Sequence, residues 1–312
     1  MKIMVTTYPF GTPNETPKLL LDKYDVHYNE VGREYTEAEI EKLLTEHQPN
    51  IVIAGTEKYN NILNQFDCIK MISRVGIGLD SIPLDLCHKK GITVAYTPDA
   101  PSNAVAELTI CQMLNMLRHV QKTDEDIRNG KWIRRIGKEI RDCNVGVIGC
   151  GRVGKLVIEK LQGLKPRRIF VNDIDEEKMN LPRCEPDYKE SILSMCDIVT
   201  IHIPYTDENK NYIAGSDFDN LRSDVCLINT SRGGIINEHD LCGFLLTNIM
   251  ARAAIDVYND EPYTGKLIDL PNTFLTPHLG SCSTKSRFGM EVGAVENAIN
   301  FIEKKHIQHR VV

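Results

Sequence analysis

Short apolar runs alternate with charged helical patterns along the first 98 residues. The runs KIMVTT, DVHYN, NIVIAG, MISRVG and ITVAYT have the length and composition of buried strands. Between them, TEAEIEKLLTEH carries apolar residues at a spacing near 3.6 and begins with Thr36, a good helix cap. Strands alternating with helices predict βαβ units and a largely parallel sheet.

A break follows, and then the same alternation restarts. TPDAPSNAV contains two prolines and precedes a helical stretch at 105–120 that is apolar on much of its circumference, which predicts deep burial. The strand candidates between 143 and 280 are CNVGVIG, RIFVND, DIVTIHI, VCLINT, RAAIDV and NTFL. A helical pattern at about 284–304 ends the chain, and the pattern alone leaves open which α/β unit it joins. We therefore expect an α/β protein with two doubly wound parallel sheets.

Composition narrows the functional classes. The 312 residues suffice for two domains, and 26% charged with 42% apolar residues is ordinary for a globular protein. A net charge of −6 without a basic face argues against nucleic acid as a partner. The ten scattered cysteines show neither CxxC pairs nor metal-ligand spacing, which predicts reduced thiols and no metal site. The start lacks a signal-peptide core, and no apolar run reaches the ~20 residues that span a bilayer, so we expect a cytoplasmic protein away from membranes.

A glycine-rich turn lies between a predicted strand and a predicted helix. In VIGCGRVG the glycines follow the pattern Gly149-x-Gly151-x-x-Gly154. The first allows a tight turn, the second a close approach of a pyrophosphate, and the third close packing of helix and strand. The phosphates would then lie at the positive end of the helix dipole. The context predicts a dinucleotide-binding site.

An acidic residue follows at the expected distance. Asp173 ends the next predicted strand, 19 residues after Gly154, where a carboxylate can accept hydrogen bonds from the adenosine ribose. The same carboxylate would repel a 2′-phosphate, which favours NAD over NADP. Asp175 is an equal claimant for this role, and either residue could instead be a helix cap.

Three later stretches each place a polar residue just after an apolar strand-like run. Arg232 lies in LINTSRGG, Asp256 and Glu261 in AAIDVYNDEP, and His278 in LTPHLGS. Because ligands bind at the carboxyl ends of parallel strands, these residues should converge on the edge that the glycine turn faces. A histidine titrates near neutrality, a carboxylate orients its ring, and a forked arginine holds a carboxylate. The set suits hydride transfer to or from a 2-hydroxy acid.

The whole chain resembles the D-isomer-specific 2-hydroxyacid dehydrogenases. SRVGIGLDSI, NAVAELTI, GKWIR, VGVIGCGRVG, HIPYT, NTSRGGIIN, AAIDVYNDEP and TPHLGS each resemble a family motif, in the family's order. The resemblance implies that Arg232 binds the substrate, that His278 is the acid–base and that Glu261 is its partner. It implies cofactor contacts at Gly149, Gly151, Arg152, Val153, Gly154, Asp173, Ile203, Pro204, Thr230, Ser231, Arg232, Asp256, His278 and Gly280.

The resemblance also implies a domain organisation and a partner. Residues 1–98, completed by 283–312, would form the substrate domain, and 99–282 the NAD-binding domain. Arg74, with the backbone N–H groups of Val75 and Gly76, would join Arg232 in binding substrate in a cleft between the domains. A homodimer would form through the cofactor domains, including the long helix and GKWIR.

The resemblance leaves the substrate open. Arg74 fits a phosphate, so 3-phosphoglycerate is the first candidate for the D-2-hydroxy acid. However, the loop IAGTEK lacks the arginine that phosphoglycerate enzymes often place there, for which Lys58 is no more than a candidate replacement. Glycerate, glyoxylate, hydroxypyruvate and D-lactate are the alternatives. A different class, an NADH-sensing binding protein of the same fold, also stays open.

Overall fold

The computed structural model describes residues 1–12, 14–59 and 61–312. The chain folds into two compact units, unit 1 (Met1–Pro101 with Ser281–Val312) and unit 2 (Ser102–Gly280). The predicted fold class is confirmed, because each unit contains a sheet whose strands are all parallel. The assignment of 1–98 with 283–312 to substrate and of 99–282 to cofactor stays a prediction.

Unit 1 has a five-stranded sheet in the order β2-β1-β3-β4-β5. Its strands are β1 (Lys2–Val5), β2 (Asp25–His27), β3 (Ile51–Ala54), β4 (Met71–Arg74) and β5 (Thr93–Ala95). Its helices are α1 (Thr16–Leu19), α2 (Glu37–His47), α3 (Leu84–Lys90) and α11 (Thr284–Ile302), with a 3-10 turn at Leu63–Gln65.

Both faces of this sheet are covered. Ile40 and Leu44 of α2 pack on one face, and Met290 and Val295 of α11 pack on the other. The predicted cap at Thr36 is confirmed, since its hydroxyl accepts from the N–H of Glu39, whose carboxylate accepts from the Thr36 N–H. The last helix therefore packs on unit 1, the choice that the apolar pattern left open.

Unit 2 has a seven-stranded sheet in the order β12-β11-β10-β9-β6-β7-β8. Its strands are β6 (Asn144–Ile148), β7 (Arg168–Asn172), β8 (Glu185–Pro186), β9 (Ile198–Ile201), β10 (Cys226–Asn229), β11 (Arg252–Ile255) and β12 (Thr273–Leu275). Its helices are α4 (Ser102–Arg118), α5 (Val120–Arg128), α6 (Arg152–Leu164), α7 (Glu176–Met179), α8 (Lys189–Met195), α9 (Asp217–Asn220) and α10 (Glu238–Thr247), with 3-10 turns at Ile140–Asp142 and Lys266–Asp269.

The apolar strands of unit 2 lie between two helical layers. Val157 and Leu161 of α6 pack with α4 on one face, and helices α8 to α10 cover the other. The long helix is buried as predicted, but it ends at Arg118 because His119 adopts a left-handed conformation with φ 56°. Among the described residues, no helix has both the length and the apolar character needed to cross a membrane.

Candidate active site

Parallel pairing brings the ends of three neighbouring strands together. In unit 2 the strands β10, β11 and β12 are adjacent and parallel, so their carboxyl ends share one edge. Arg232 follows β10, Glu261 lies in the segment after β11, and His278 follows β12. The expectation that these three residues leave the same edge of one sheet is met.

His278 and Glu261 form a direct pair. Nδ1 of His278 lies 2.8 Å from Oε2 of Glu261, and each side chain is about one-third exposed, at 34% and 37%. The other carboxylate oxygen accepts from the Tyr258 N–H at 3.0 Å. Burial alone would raise the pKa of Glu261, but His278, the Tyr258 N–H and Arg232 together hold it below its usual value. The carboxylate therefore stays ionised at neutral pH and can stabilise a protonated ring.

A buried carboxylate shapes the loop that carries His278. Asp256 accepts a short hydrogen bond from the Thr276 hydroxyl and further bonds from the N–H groups of Leu279 at 2.8 Å and Gly280 at 2.9 Å. Its own carbonyl accepts from the His278 N–H at 2.9 Å. These contacts hold His278 at φ 53°, a left-handed conformation that a residue with a side chain rarely adopts.

Tyr258 joins the Glu261 segment to the His278 loop. Its buried hydroxyl lies 2.9 Å from the carbonyl oxygen of Ile255 and 3.0 Å from that of Thr276. Its ring stacks on Tyr263, with centroids 4.2 Å apart. Tyr258 thus links the end of β11 and the end of β12 through its hydroxyl, and it contacts the Glu261 carboxylate through its backbone N–H.

The Arg232 loop is shaped by Asn229 at the end of β10. The Asn229 side chain accepts from the Ser231 N–H at 3.0 Å and donates to the Arg232 carbonyl at 2.9 Å. The Arg232 guanidinium donates to the Ser231 carbonyl at 2.7 Å. A Cβ at Gly233 would lie 1.8 Å from the Tyr258 carbonyl oxygen, so only glycine lets these two segments approach so closely.

The glycine turn follows β6, at the point where the strand order reverses. Gly149 has φ 94°, and a Cβ there would lie 2.6 Å from the His202 carbonyl oxygen. A Cβ at Gly154 would lie 1.9 Å from the Gly149 carbonyl oxygen, whereas a Cβ at Gly151, the N-cap of α6, would meet nothing within 4 Å. The turn is therefore closely packed at Gly149 and Gly154 and open at Gly151. The open space at the helix N-terminus suits a pyrophosphate. Arg152 and Val153 form the first residues of that helix.

The structure separates the two aspartates that the sequence left as equal claimants. Asp173 accepts from the N–H of Cys150, inside the glycine turn, at 2.7 Å. Asp175 instead caps α7 through the Glu177 N–H and pairs with Lys178 at 3.2 Å. Asp173 is thus the carboxylate that lies against the glycine turn.

The remaining predicted cofactor residues lie on neighbouring strand ends. Ile203 follows β9, with its Cγ2 atom 3.0 Å from the Cβ position of Gly149. The Pro204 carbonyl accepts from the Asn209 side chain at 2.9 Å. Thr230 is buried, with its hydroxyl 2.9 Å from that of Thr109 on α4.

The three predicted substrate residues of unit 1 lie at the end of β4, where Arg74 is the last residue of the strand and Val75 and Gly76 follow it. Arg74 is buried and donates to the Val75 carbonyl. The N–H of Val75 donates to the Ala54 carbonyl at 2.8 Å, and that of Gly76 donates to the Thr97 hydroxyl at 2.8 Å. Both N–H groups therefore have protein partners, which a substrate carboxylate would have to replace.

Comparison with known proteins shows the family of the chain. A model of the D-isomer specific 2-hydroxyacid dehydrogenase, NAD binding domain, matches residues 110–280. The matched segment covers more than half of the chain and includes the glycine turn and all three converging residues. The chain belongs to the D-isomer specific 2-hydroxyacid dehydrogenase family.

Relatives with different substrates are about equally similar. The chain is 30% identical to a hydroxypyruvate reductase of Thermotoga maritima over 89% of this chain and 92% of the relative. It is 30% identical to a D-3-phosphoglycerate dehydrogenase of Synechocystis sp. over 84% of this chain, but the match spans only about half, 48%, of that relative. The crystal structure of the TT0316 protein from Thermus thermophilus superposes with a TM-score of 0.87 at 24% identity over the full length of both chains, which shows the shared fold.

Three supporting residues were absent from the sequence prediction. Asn229 carried a usable signal, since an asparagine directly after an apolar strand often bonds to the backbone two residues on. Tyr258 and Thr109 carried none, because their partners lie on other elements of the fold.

Replacing Tyr258 with phenylalanine should test the link between the two loops. The ring is retained, but the carbonyls of Ile255 and Thr276, which keep their backbone N–H donors, lose a buried hydrogen bond worth about 0.5–1.5 kcal/mol. We expect the free energy of unfolding in urea to fall by about that amount. Tyr188→Phe, at an exposed tyrosine, is the matched control. Equal stability of the two variants would show that the Tyr258 hydroxyl does not join the loops.

Proposed function

We propose that the chain is an NAD-dependent D-2-hydroxyacid dehydrogenase that transfers a hydride between NAD(H) and a short D-2-hydroxy acid or its 2-oxo acid. The observation that carries the proposal is the His278–Glu261 pair, held at 2.8 Å on the sheet edge where the glycine turn and Arg232 also lie. Each part of the required chemistry has a residue suited to it on that edge.

In the direction of reduction, His278 is the proton donor. Its Nδ1 faces Glu261, so Nε2 is the nitrogen that would give a proton to the oxygen on C2. Glu261 stabilises the protonated ring and fixes its orientation. In oxidation the same nitrogen takes the hydroxyl proton.

Arg232 holds the substrate. Its guanidinium is permanently charged and forked, so it can bind the substrate carboxylate in one orientation and polarise the oxygen on C2. Arg74, Val75 and Gly76 of unit 1 are proposed to complete the contacts to the substrate. The bound nicotinamide supplies the hydride chemistry itself.

The cofactor is proposed to bind along the carboxyl ends of β6, β7 and β9 to β12. Gly149, Gly151 and Gly154, with Arg152 and Val153, would contact the pyrophosphate, and Asp173 would accept from the ribose hydroxyls. Ile203, Pro204, Thr230, Ser231, Asp256 and Gly280 would line the rest of the path. The open space above Gly151 and the contact of Asp173 with the turn support this placement.

Turnover separates this proposal from an NADH-sensing role. Reduction of a panel of 2-oxo acids by NADH, including 3-phosphohydroxypyruvate, hydroxypyruvate, glyoxylate and pyruvate, should give a signal with at least one of them. Binding of NADH without turnover of any of them would favour the sensor.

His278→Ala should abolish turnover while sparing NADH binding. An acid–base residue contributes roughly 10²–10⁴ in rate, while most dinucleotide contacts lie on other residues. Steady-state kinetics with the panel and NADH fluorescence titration measure the two effects. His239→Ala, at a highly exposed histidine of unit 2, is the control. Wild-type turnover in the His278 variant would remove it from the reaction.

Asp173→Ala should narrow the preference for NAD over NADP. A 2′-phosphate beside the Asp173 carboxylate meets like-charge repulsion, which the substitution removes. The kcat/KM ratio of the two cofactors should shift toward NADP, whereas Asp175→Ala should leave it near the wild-type value. Equal use of NAD and NADP by the wild-type protein would contradict the assignment.

We also propose a cytoplasmic homodimer formed through unit 2. Three large apolar side chains of unit 2 are mostly exposed: Trp132 at 84%, Ile136 at 96% and Ile249 at 80%. Ile136 and Ile249 line the same surface groove. The groove has a volume of about 700 Å³ and includes residues of α4 and of the segment 133–136. Large apolar side chains that are exposed together in one groove commonly mark a protein interface.

Charges placed on this groove should separate the protomers. Ile136→Asp with Ile249→Asp buries a carboxylate in the proposed interface, which is strongly unfavourable. Sedimentation should show a dimer for the wild type and a monomer for the double variant. Leu19→Asp, at an exposed leucine of unit 1, should remain dimeric. A dimeric double variant would place the interface elsewhere.

A further inference from the structure

A glutamate that the proposed mechanism does not use lies at the start of α10. Glu238 is the first residue of the helix and is half-buried. An acidic side chain at this position can interact with the positive end of the helix dipole, or it can accept a hydrogen bond from another segment of the chain. The two roles make different demands, since the first needs charge and the second needs an acceptor at the correct reach.

The N-terminus of α10 has a polar partner of its own. The side chain of Asn237, the N-cap, accepts from the N–H of Asp240 at 3.1 Å. Oε1 of Glu238 instead accepts from the N–H of Asn259 at 2.8 Å, 21 residues further along the chain. Glu238 therefore bonds to the segment after β11, which carries Glu261.

The backbones of the two segments approach closely at this point. A Cβ at Gly233, in the loop before α10, would lie 1.8 Å from the carbonyl oxygen of Tyr258 and 2.7 Å from the nitrogen of Asn259. Only glycine permits so close an approach. The hydrogen bond from Asn259 to Glu238 thus holds the two segments together beside their closest backbone contact.

Two further hydrogen bonds connect this contact to His278. The N–H of Tyr258, the residue before Asn259, donates to Oε1 of Glu261 at 3.0 Å. Oε2 of Glu261 lies 2.8 Å from Nδ1 of His278. Three hydrogen bonds in a row therefore connect Glu238 with the histidine ring, and all of them lie in unit 2.

We propose that Glu238 is a positioning residue for the acid–base pair: by accepting from the Asn259 N–H, it holds the segment after β11 in the conformation in which Glu261 reaches His278. The proposal rests on the function proposed above, in which His278 exchanges a proton with the substrate. Glu238 acts through Glu261 and does not touch the substrate. In this role the side chain needs an acceptor at the correct reach, and its charge is secondary.

Two substitutions separate reach from charge. Glu238→Gln keeps the length of the side chain and a carbonyl oxygen that can accept from Asn259, but it removes the charge. Glu238→Asp keeps the charge at the helix N-terminus but shortens the side chain by one carbon–carbon bond, about 1.5 Å. Positioning predicts near-wild-type kcat for the glutamine variant and a reduced kcat for the aspartate variant, whereas a helix-dipole role predicts the opposite order.

We expect kcat with the best 2-oxo acid of the panel to fall about ten- to hundredfold in Glu238→Asp, because a misplacement of about 1 Å at the reacting groups costs up to about hundredfold. The Kd of NADH, measured by fluorescence titration, should stay near the wild-type value. Asp240→Ala is the matched control. Asp240 lies two residues further along α10 and accepts from the N–H of Gly215, in the segment before α9, at 2.8 Å. Its kcat should remain close to that of the wild type.

A double-variant cycle and the NMR signals of His278 test the connection itself. In a Glu261→Gln background, Glu238→Asp should lower kcat by no more than about twofold further, because the two residues act in one row of contacts. The ring resonances of His278, assigned by their loss in His278→Ala, should move in Glu238→Asp and stay in place in Glu238→Gln. These resonances report on the pair without any turnover.

Wild-type kcat with unmoved His278 resonances in Glu238→Asp overturns the positioning role, and so does a fully additive loss in the double variant. If the aspartate variant does not fold, the glutamine variant decides, since a large loss of kcat in that variant also overturns the proposal. Lack of turnover with every 2-oxo acid in the wild type overturns instead the proposed function. The His278 resonances then still decide whether Glu238 positions the pair.

Discussion

One buried carboxylate, that of Asp256, organises the loop at the end of the unit 2 sheet. Asp256 directly follows β11, and its carboxylate accepts hydrogen bonds from the Thr276 hydroxyl and from the N–H groups of Leu279 and Gly280. These three residues lie on either side of His278 in the sequence. A group of this kind is stable inside a protein only when donors surround it, so the loop has little freedom to take another shape. The left-handed backbone of His278 is a consequence, and so is the direction in which its ring meets Glu261.

The position of the site follows from the burial of the sheet. Both faces of the unit 2 sheet are covered by helices, so strands such as β9 and β10 are buried along their whole length and are mostly apolar. Polar side chains can then project only where strands end, and parallel strands end together. Arg232, Glu261 and His278 come from three such ends, and the glycine turn comes from a fourth, so the fold itself brings an arginine, a carboxylate, a histidine and a glycine turn to one edge.

Unit 1 repeats this architecture with different charges. Its strand ends carry Arg74 beside Glu57, each lying over a glycine of its own strand end. Burial raises the pKa of the Glu57 carboxyl to about 7, and the positive charge of Arg74 acts on it in the opposite direction.

The residue pattern was enough to predict the two parallel sheets, the glycine turn and the candidacy of Arg232, Glu261 and His278. These features are local, since a strand buried on both faces must be apolar and a tight turn at a phosphate site must be glycine. The folded chain was needed to show that Asp173 rather than Asp175 lies against the turn and that Tyr258 joins two loops. Each of these contacts depends on a partner on another element of the fold, and the apolar pattern that builds a strand contains no information about which side chains meet beyond its end.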